Sequence, residues 1–358
     1  MKDTKIIGNG QLVSILFLCR VFQVLVLIPR HTAKANGSAI VFATFIYMAI
    51  AVLIIILCQM LFKKCGNDNL FVCAQKQGKA FGTIISSIYF LFFVFFGAST
   101  MANFEYFLTT AVYPYQSSLM INILLIICTA YVVFMGPEAF GRMSVLITVL
   151  FIFVLAIVVV TSIPYMDMLF LHSPFAKGYG EVLTAVWTGF VASNELVLIY
   201  FYGPMAGKKF LKAGVIWAIL TAAILATISF ATLTVLGYFG ATQQYPIYAL
   251  FSQAGLTVFE RLEAFYMTVW IFIGIVKSSV YLYAASQTLT FISFKLDKKK
   301  SVIIVSVLMA GVSILFSKNS IIFSFLFEIA YTGIPLITCS LLIPLLLLFK
   351  CRKKEKVQ

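Results

Sequence analysis

Ionisable side chains stand inside apolar runs that ought to exclude them, Arg20, Glu105, Glu195 and Lys277 foremost. A charge near the centre of a bilayer costs a few kcal/mol or more, so such groups face a cavity, an ion or one another. Their chemistry is recognition and charge transfer: a guanidinium or ammonium takes a carboxylate, and a carboxylate takes an amine or a proton. The richest segment is Trp187-Thr188-Gly189-Phe190-Val191-Ala192-Ser193-Asn194-Glu195-Leu196, where polar groups and a glycine gather halfway along an apolar run. Gly189 tolerates a helix break. Ser193, Asn194 and freed backbone amides then suit a small polar solute whose carboxylate lies at a half-helix N-terminus. Glu195 suits an amine or a mobile proton. A continuous helix using these groups for interhelical hydrogen bonds is the structural alternative.

Arg20 shares its run with Gln11 and Gln23 and lies too deep to extend its charge fully to either surface. It needs a carboxylate or water, either as a structural ion pair or as a ligand or gating group. Asn103 and Glu105 follow the small-residue stretch Gly97-Ala98-Ser99, which lets another helix approach closely. Glu105 is a candidate partner for Arg20, unless it lies near the outer end of its span among headgroups. Lys277 has to be neutralised, deprotonated, or balanced by a carboxylate such as Glu105 or Glu195. Glu138 and Arg142 have the spacing of a helical ion pair, Glu260 and Arg261 read as an interfacial cluster, and Glu328 is expected to be buried with no assigned partner.

No enzyme constellation stands out. His31 and His172 are the only histidines, and no metalloprotease, nucleophile-elbow, Walker or dinucleotide-binding pattern occurs. No cofactor or metal is expected. The seven cysteines (Cys19, Cys58, Cys65, Cys73, Cys128, Cys339, Cys351) form no CxxC pair, so free thiols are expected, with neither a disulfide framework nor a zinc site.

These residues are positioned by membrane-spanning helices. Of 358 residues, 62% are hydrophobic and 11% charged, and the mean hydropathy is +1.05, a composition that excludes a soluble globular fold. Apolar runs near the length of a bilayer-crossing helix recur at 11–29, 39–62, 81–113, 119–135, 143–163, 181–203, 214–240, 260–293, 302–316 and 321–349. The third, eighth and tenth are long enough to tilt, bend or break. The expectation is one polytopic membrane domain over 1–358, with a short N-terminus at 1–10, a retained first span and a basic tail at 350–358. Of 26 Lys and Arg, 19 fall on the side holding both termini, which makes that side cytoplasmic. The basic residues are scattered over helix ends, which argues for topology and contact with anionic lipid, and against nucleic acid. Two longer outward connections, at 164–180 and 240–259, suit lids, partner contacts or plain linkage.

Ten spans suit two inverted five-helix halves, with a site near the midplane where the first helix of each half is interrupted, so spans one and six are the places to search. Several segments resemble, collinearly from about Ile7 to Lys354, the permease-type spore germination proteins, the B-subunits of nutrient germinant receptors within the amino acid–polyamine–organocation superfamily. They are Gln11-Leu12 with Pro29; Gly136-Pro137-Glu138 with Arg142; Gly189 with Glu195; and Phe259-Glu260-Arg261-Leu262-Glu263 leading to Trp270, Lys277 and Tyr281-Leu282-Tyr283.

The resemblance implies an all-α, five-plus-five inverted-repeat fold and an amino acid or similar nutrient bound among spans one, three, six and eight. It also implies a place in the spore inner membrane or bacterial cytoplasmic membrane, beside a larger membrane subunit and a lipoprotein. The substrate-binding candidates are Phe22, Gln23, Val24, Asn103, Glu105, Gly189, Ser193, Asn194 and Glu195. One departure stands out: the Gly-rich break usual midway along span one aligns with Phe22-Gln23-Val24, which implies a narrower pocket with altered or lost binding. In this fold an ion commonly lies between spans one and eight, where the resemblance places Lys277; its ammonium is then a substitute for the ion, with protonation controlling closure. Three readings follow: a receptor subunit that senses a nutrient and triggers germination, a cation-coupled amino acid permease, and a subunit with a degenerate pocket.

Overall fold

The computed structural model describes residues 6–32, 37–66, 68–176, 178–207, 210–253, 262–293 and 296–351, apart from the side chains of 25–32, 37, 241, 262 and 320. Glu260, Arg261 and the basic tail after Cys351 lie outside this set.

The chain folds as a sequence of helices, with no strand among the described residues. In order they are α1 (Asn9–Thr32), α2 (Gly37–Lys64), α3 (Leu70–Lys76), α4 (Lys79–Phe107), α5 (Ser118–Phe134), α6 (Pro137–Ser162), α7 (Tyr179–Val191), α8 (Glu195–Ala206), α9 (Phe210–Thr242), α10 (Pro246–Gln253), α11 (Leu262–Ile292), α12 (Lys298–Lys318), α13 (Ser320–Tyr331), α14 (Ile334–Ile337) and α15 (Ile343–Lys350). By length and composition, Ser38–Lys64, Lys79–Val112, Pro137–Tyr165, Phe210–Gly240, Glu263–Ile292 and Lys298–Lys318 can each cross a membrane. Tyr179–Val191 with Glu195–Ala206, and Ile321–Tyr331 with Ile334–Lys350, make two more spans bent by 46° and 48°. With the shorter apolar helices Asn9–Val24 and Ser118–Phe134, these reproduce the ten apolar runs in order.

The bends have local causes. Span six breaks at 192–194, one turn beyond Gly189. Span ten breaks at Gly333, whose φ of 88° suits a residue without a Cβ, and Pro335 then restarts the helix at its first turn. A Cβ on Gly333 would lie 3.0 Å from Trp187 and Val191 of α7, so the two broken spans meet there. Span one is helical throughout Asn9–Thr32, so the interruption sought in the first helix of each half is present only in the second. Without glycine at Phe22-Gln23-Val24, nothing relieves the backbone there.

The outer surface is apolar, as lipid contact requires: Leu53, Leu91, Leu146, Val149 and Phe153 are all exposed. Glu328, expected to be buried, is exposed on α13 on the same face as the exposed Phe325 and Ile329, so it needs no buried partner. Inside, α4 packs along α11, and α1 lies against α6, α8, α9 and α11. Trp270 of α11 anchors this interior. It stacks on Phe104 (4.8 Å between ring centroids, 6° between planes) and on Phe22 (5.3 Å, 18°), and touches Phe107 at 4.5 Å. The stack holds Phe22, and with it the middle of α1, against span eight.

One expectation about cysteines is overturned: Cys65 and Cys73 form a disulfide. They are eight residues apart and lie on either side of the turn between α2 and α3, which folds the chain back on itself. Cys19, Cys58, Cys128, Cys339 and Cys351 are free.

Candidate functional site

The break in span six exposes main-chain groups that a continuous helix would satisfy internally. The amide of Ser193 bonds to the carbonyl of Phe190, which leaves the carbonyl of Gly189 without its helical partner. Two side chains replace it: Ser193 Oγ and Arg20 Nη2 each donate to Gly189 O at 2.9 Å. Asn194 Oδ1 accepts from the hydroxyl of Tyr281 on α11 at 2.6 Å. Glu195 then opens α8, where the partial positive charge of the helix N-terminus favours a carboxylate.

Arg20, Glu195 and Lys277 are all fully buried. Arg20 Nε lies 3.9 Å from Glu195 Oε1, and the guanidinium is 4.9 Å from the centre of the Tyr47 ring. Both carboxylate oxygens of Glu195, like Nε and Nη1 of Arg20, are buried without a hydrogen bond of ordinary geometry. The pair is therefore Coulombic, with donor and acceptor capacity to spare. Lys277 Nζ donates to Gln23 Oε1 at 2.6 Å, is 5.2 Å from the centre of the Phe22 ring, and feels the charges of both Glu195 and Arg20. Gln23 Nε2 in turn donates to the hydroxyl of Tyr331, the last residue of α13 at the break in span ten. A polar thread thus runs from span eight through span one to span ten.

A cleft opens beside this cluster, lined by Arg20, Gln23, Val24, Thr44, Tyr47, Thr188, Gly189, Ala192, Ser229 and Tyr331 among others. Including its mouth it holds about 580 Å³ of non-atom space, but the room inside is that of about two water molecules. Any solute larger than water therefore needs the surrounding helices to part. A smaller cleft of about 230 Å³ lies on the other side of Gln23 and Tyr331, lined by Ser99, Thr100, Asn103 and the rings of Phe95, Phe96 and Phe327.

Of the substrate-binding candidates, Gln23, Val24 and Gly189 line the larger cleft and Asn103 the smaller one. Phe22, Ser193, Asn194 and Glu195 surround the break behind the cleft wall. Glu105 stands apart. Its carboxylate Oε1 accepts from Thr109 at 3.4 Å, where α4 runs into a π-helical turn (Leu108–Val112), and Glu195 takes the role of carboxylate beside Arg20. Arg142 Nη2 bonds Glu138 Oε1 at 2.6 Å on the exposed first turns of α6, a pair worth little to stability. Sequence reasoning missed Tyr47, Thr44, Ser229 and Tyr331. Their signal was available, since hydroxyls deep in apolar runs need partners as charges do.

The approach of Tyr47 to span six depends on Gly189, because any Cβ there collides with the Tyr47 ring. Gly189→Ala is expected to lower stability by about 1–3 kcal/mol through overpacking and to displace Tyr47 from Arg20. A detergent melting curve measures the first effect, and a double-mutant cycle with Tyr47→Ala reports the second.

A broken span six, a charged midspan cluster and an adjoining cleft define a membrane protein built like a solute transporter. Among solved structures the chain is similar to a substrate-bound, outward-open Na+-coupled sialic acid symporter, with a TM-score of 0.68, 12% identity, and coverage of 98% of this chain and 81% of that one. It is also similar to the nucleobase-cation-symport-1 family transporter Mhp1 in a closed conformation with bromovinylhydantoin bound, with a TM-score of 0.58, 14% identity, and coverage of 86% and 71%. The fold is thus the all-α, five-plus-five inverted-repeat architecture of these symporters.

Residues 6–321 match the family described as spore germination protein, and the chain belongs to it. It is 26% identical over 215 residues to spore germination protein KB of Bacillus subtilis (strain 168), a match covering 58% of each chain.

Proposed function

We propose that this chain is the membrane subunit of a spore nutrient germinant receptor, which binds a small nutrient such as an amino acid in the cleft beside span six and so triggers germination. The observation that supports the proposal is the cleft itself, lined by Arg20 and by the hydroxyl-bearing side chains of Thr44, Thr188, Ser229 and Tyr331. An α-amino acid presents a carboxylate for the guanidinium and an ammonium for the hydroxyls. Family membership and the name of the Bacillus subtilis relative support the germination role.

The cleft is nearly closed, so occupancy is linked to movement of α1, α2, α7 or α9. Such a movement in a fold with two broken spans is a signal that a partner subunit can read. The partners proposed are a larger membrane subunit and a lipoprotein subunit, in the spore inner membrane with both termini of this chain cytoplasmic. A cation-coupled amino acid permease is the alternative. The receptor reading is favoured because Lys277 places a covalently held cation between spans one and eight, bonded to Gln23.

The test is a thermal-shift screen of the purified chain in detergent against the common amino acids, paired with uptake in liposomes. A ligand that binds the folded state raises its melting temperature. Thr188→Phe fills the cleft from α7 without removing an interhelical hydrogen bond, since Thr188 Oγ1 donates only within its own helix, to Thr184 O. The expected result is a shift with at least one amino acid, lost in Thr188→Phe, with no concentrative uptake. Robust uptake by this chain alone would move the assignment to the permease, and the absence of any shift in a complete receptor complex would refute ligand binding in this cleft.

A further inference from the structure

Three cysteine sulfurs converge at the end of the bundle that carries the basic loops. α2 ends in Lys63-Lys64 and delivers Cys65, the short helix α3 carries Cys73, and α15 ends in Lys350 and delivers Cys351. Cys351 Sγ lies 3.0 Å from Cys73 Sγ and 3.8 Å from Cys65 Sγ, and all three sulfurs lie within 4.8 Å of one another. Cys73 and Cys351 are buried and Cys65 is partly so. The amide of Gln77 lies 3.5 Å from Cys351 Sγ. The span-six site uses none of these three cysteines.

We propose that, with their thiols reduced, Cys65, Cys73 and Cys351 form a three-thiolate site for a thiophilic d10 cation, Zn2+ being the ion expected. Thiolates bind Zn2+ at about 2.3 Å in tetrahedral geometry, which separates two ligand sulfurs by roughly 3.8 Å. The Cys65–Cys351 pair already has that separation. Cys73 needs to move by about an ångström from Cys351 and to part from Cys65, and water or the Gln77 amide oxygen takes the fourth position. The donors are all soft sulfur, which selects zinc or copper(I) over calcium or magnesium. Three thiolates around Zn2+ leave one negative charge, opposite the basic residues of the same turns. Lys64 donates to Leu348 O at 2.5 Å, across the junction the cysteines close, and Lys350 lies 4.0 Å from the centre of the Phe81 ring beside it.

The positive-inside reading of these loops places the cluster in the cytoplasm, where cysteines are held as thiols, so the disulfide and the metal are alternative occupants of one site. The bond between Cys65 and Cys73 removes two of the three ligands. A bound ion would join the ends of spans two and ten through α3. Span ten carries the break at Gly333 that abuts Trp187 and Val191 of span six, so the ion would fix the far end of a helix in contact with the candidate site.

The experiment uses the full chain in detergent, reduced with a phosphine that does not bind metal and then dialysed against Zn2+. Bound zinc is counted by elemental analysis, and Co2+ substitution reports thiolate ligation through its charge-transfer absorption. The expected result is one zinc per chain and a higher melting temperature, with affinity reduced by more than about tenfold in Cys73→Ser and in Cys351→Ser, and unchanged in Cys128→Ser. Cys65→Ser, at the least buried ligand, serves where another variant fails to fold. Absence of zinc from the reduced chain, or zinc retained when all three cysteines are serine, would overturn the proposal. So would a Cys65–Cys73 bond that survives the phosphine and leaves the chain without metal.

Discussion

Replacing Glu195 with glutamine is expected to destabilise the chain by about 3–5 kcal/mol, because it leaves the Arg20 guanidinium buried without its counter-charge. The remaining neighbours of Arg20 are weaker substitutes than a carboxylate: the Gly189 carbonyl at 2.9 Å, the Tyr47 side chain with its ring centre at 4.9 Å, and Tyr331. The reverse change, Arg20→Met, is expected to cost less. Glu195 keeps the N-terminus of α8 and the charge of Lys277, and the methionine retains the apolar stem of the arginine. The double variant should recover much of the loss, as happens when both members of a buried pair are removed together. Melting curves of the four proteins in one detergent give the coupling energy directly. A second expectation separates this pair from a purely structural one. A ligand carboxylate that binds Arg20 in the cleft should stabilise Glu195→Gln more than the parent chain, since it supplies the missing negative charge. Equal stabilisation would leave Arg20 structural only, and a double variant as unstable as the sum of the singles would show that the two groups are not paired.

The participants in this cluster were legible in the sequence because the bilayer makes charge conspicuous: Arg20, Glu195 and Lys277 stand out in apolar runs wherever they are placed. The break in span six was legible for a similar reason, since Gly189, Ser193 and Asn194 gather polar capacity where a continuous helix has no use for it. Pairing was not. Glu105 was the carboxylate named for Arg20, but the register of span one against spans three and six places Glu195 alongside it and leaves Glu105 with Thr109. Hydrophobic periodicity fixes which elements exist, but the rotation of one span against another is decided by close packing such as that of Gly189 on Tyr47, which leaves little trace in one sequence. The cysteine cluster escaped for a topological reason: Cys351 is 278 residues from Cys73, and only the return of span ten to the end of span two brings them together. The length of the tenth run allowed a break, yet its place at Gly333 and the bond from Gln23 to Tyr331 beside it needed the folded chain.

That bond gives Lys277 its importance, and Lys277→Met is expected to uncouple the site from pH. Lys277 holds Gln23 by Oε1, and Gln23 holds Tyr331, which lines both clefts. Methionine fills the same apolar space but leaves Gln23 Oε1 buried without its donor, an expected loss of about 1–3 kcal/mol. It also removes the cation that helps to balance Glu195, so ligand affinity should fall by at least about tenfold if closure needs the whole thread. The charged groups acting on Lys277 are Glu195, Arg20 and, when ionised, Cys19. In the parent chain the ammonium charge helps to balance Glu195, so ligand-induced stabilisation should weaken as pH rises through the titration of the lysine. In Lys277→Met the residual response should be flat over that range. Lys277→Gln separates the two roles, since its amide can still donate to Gln23 without carrying charge: stability near that of the parent is expected, with the pH dependence gone. Unchanged affinity and an unchanged pH profile in Lys277→Met would show that the lysine is a packed structural cation, and that the thread from span eight to span ten does not govern closure.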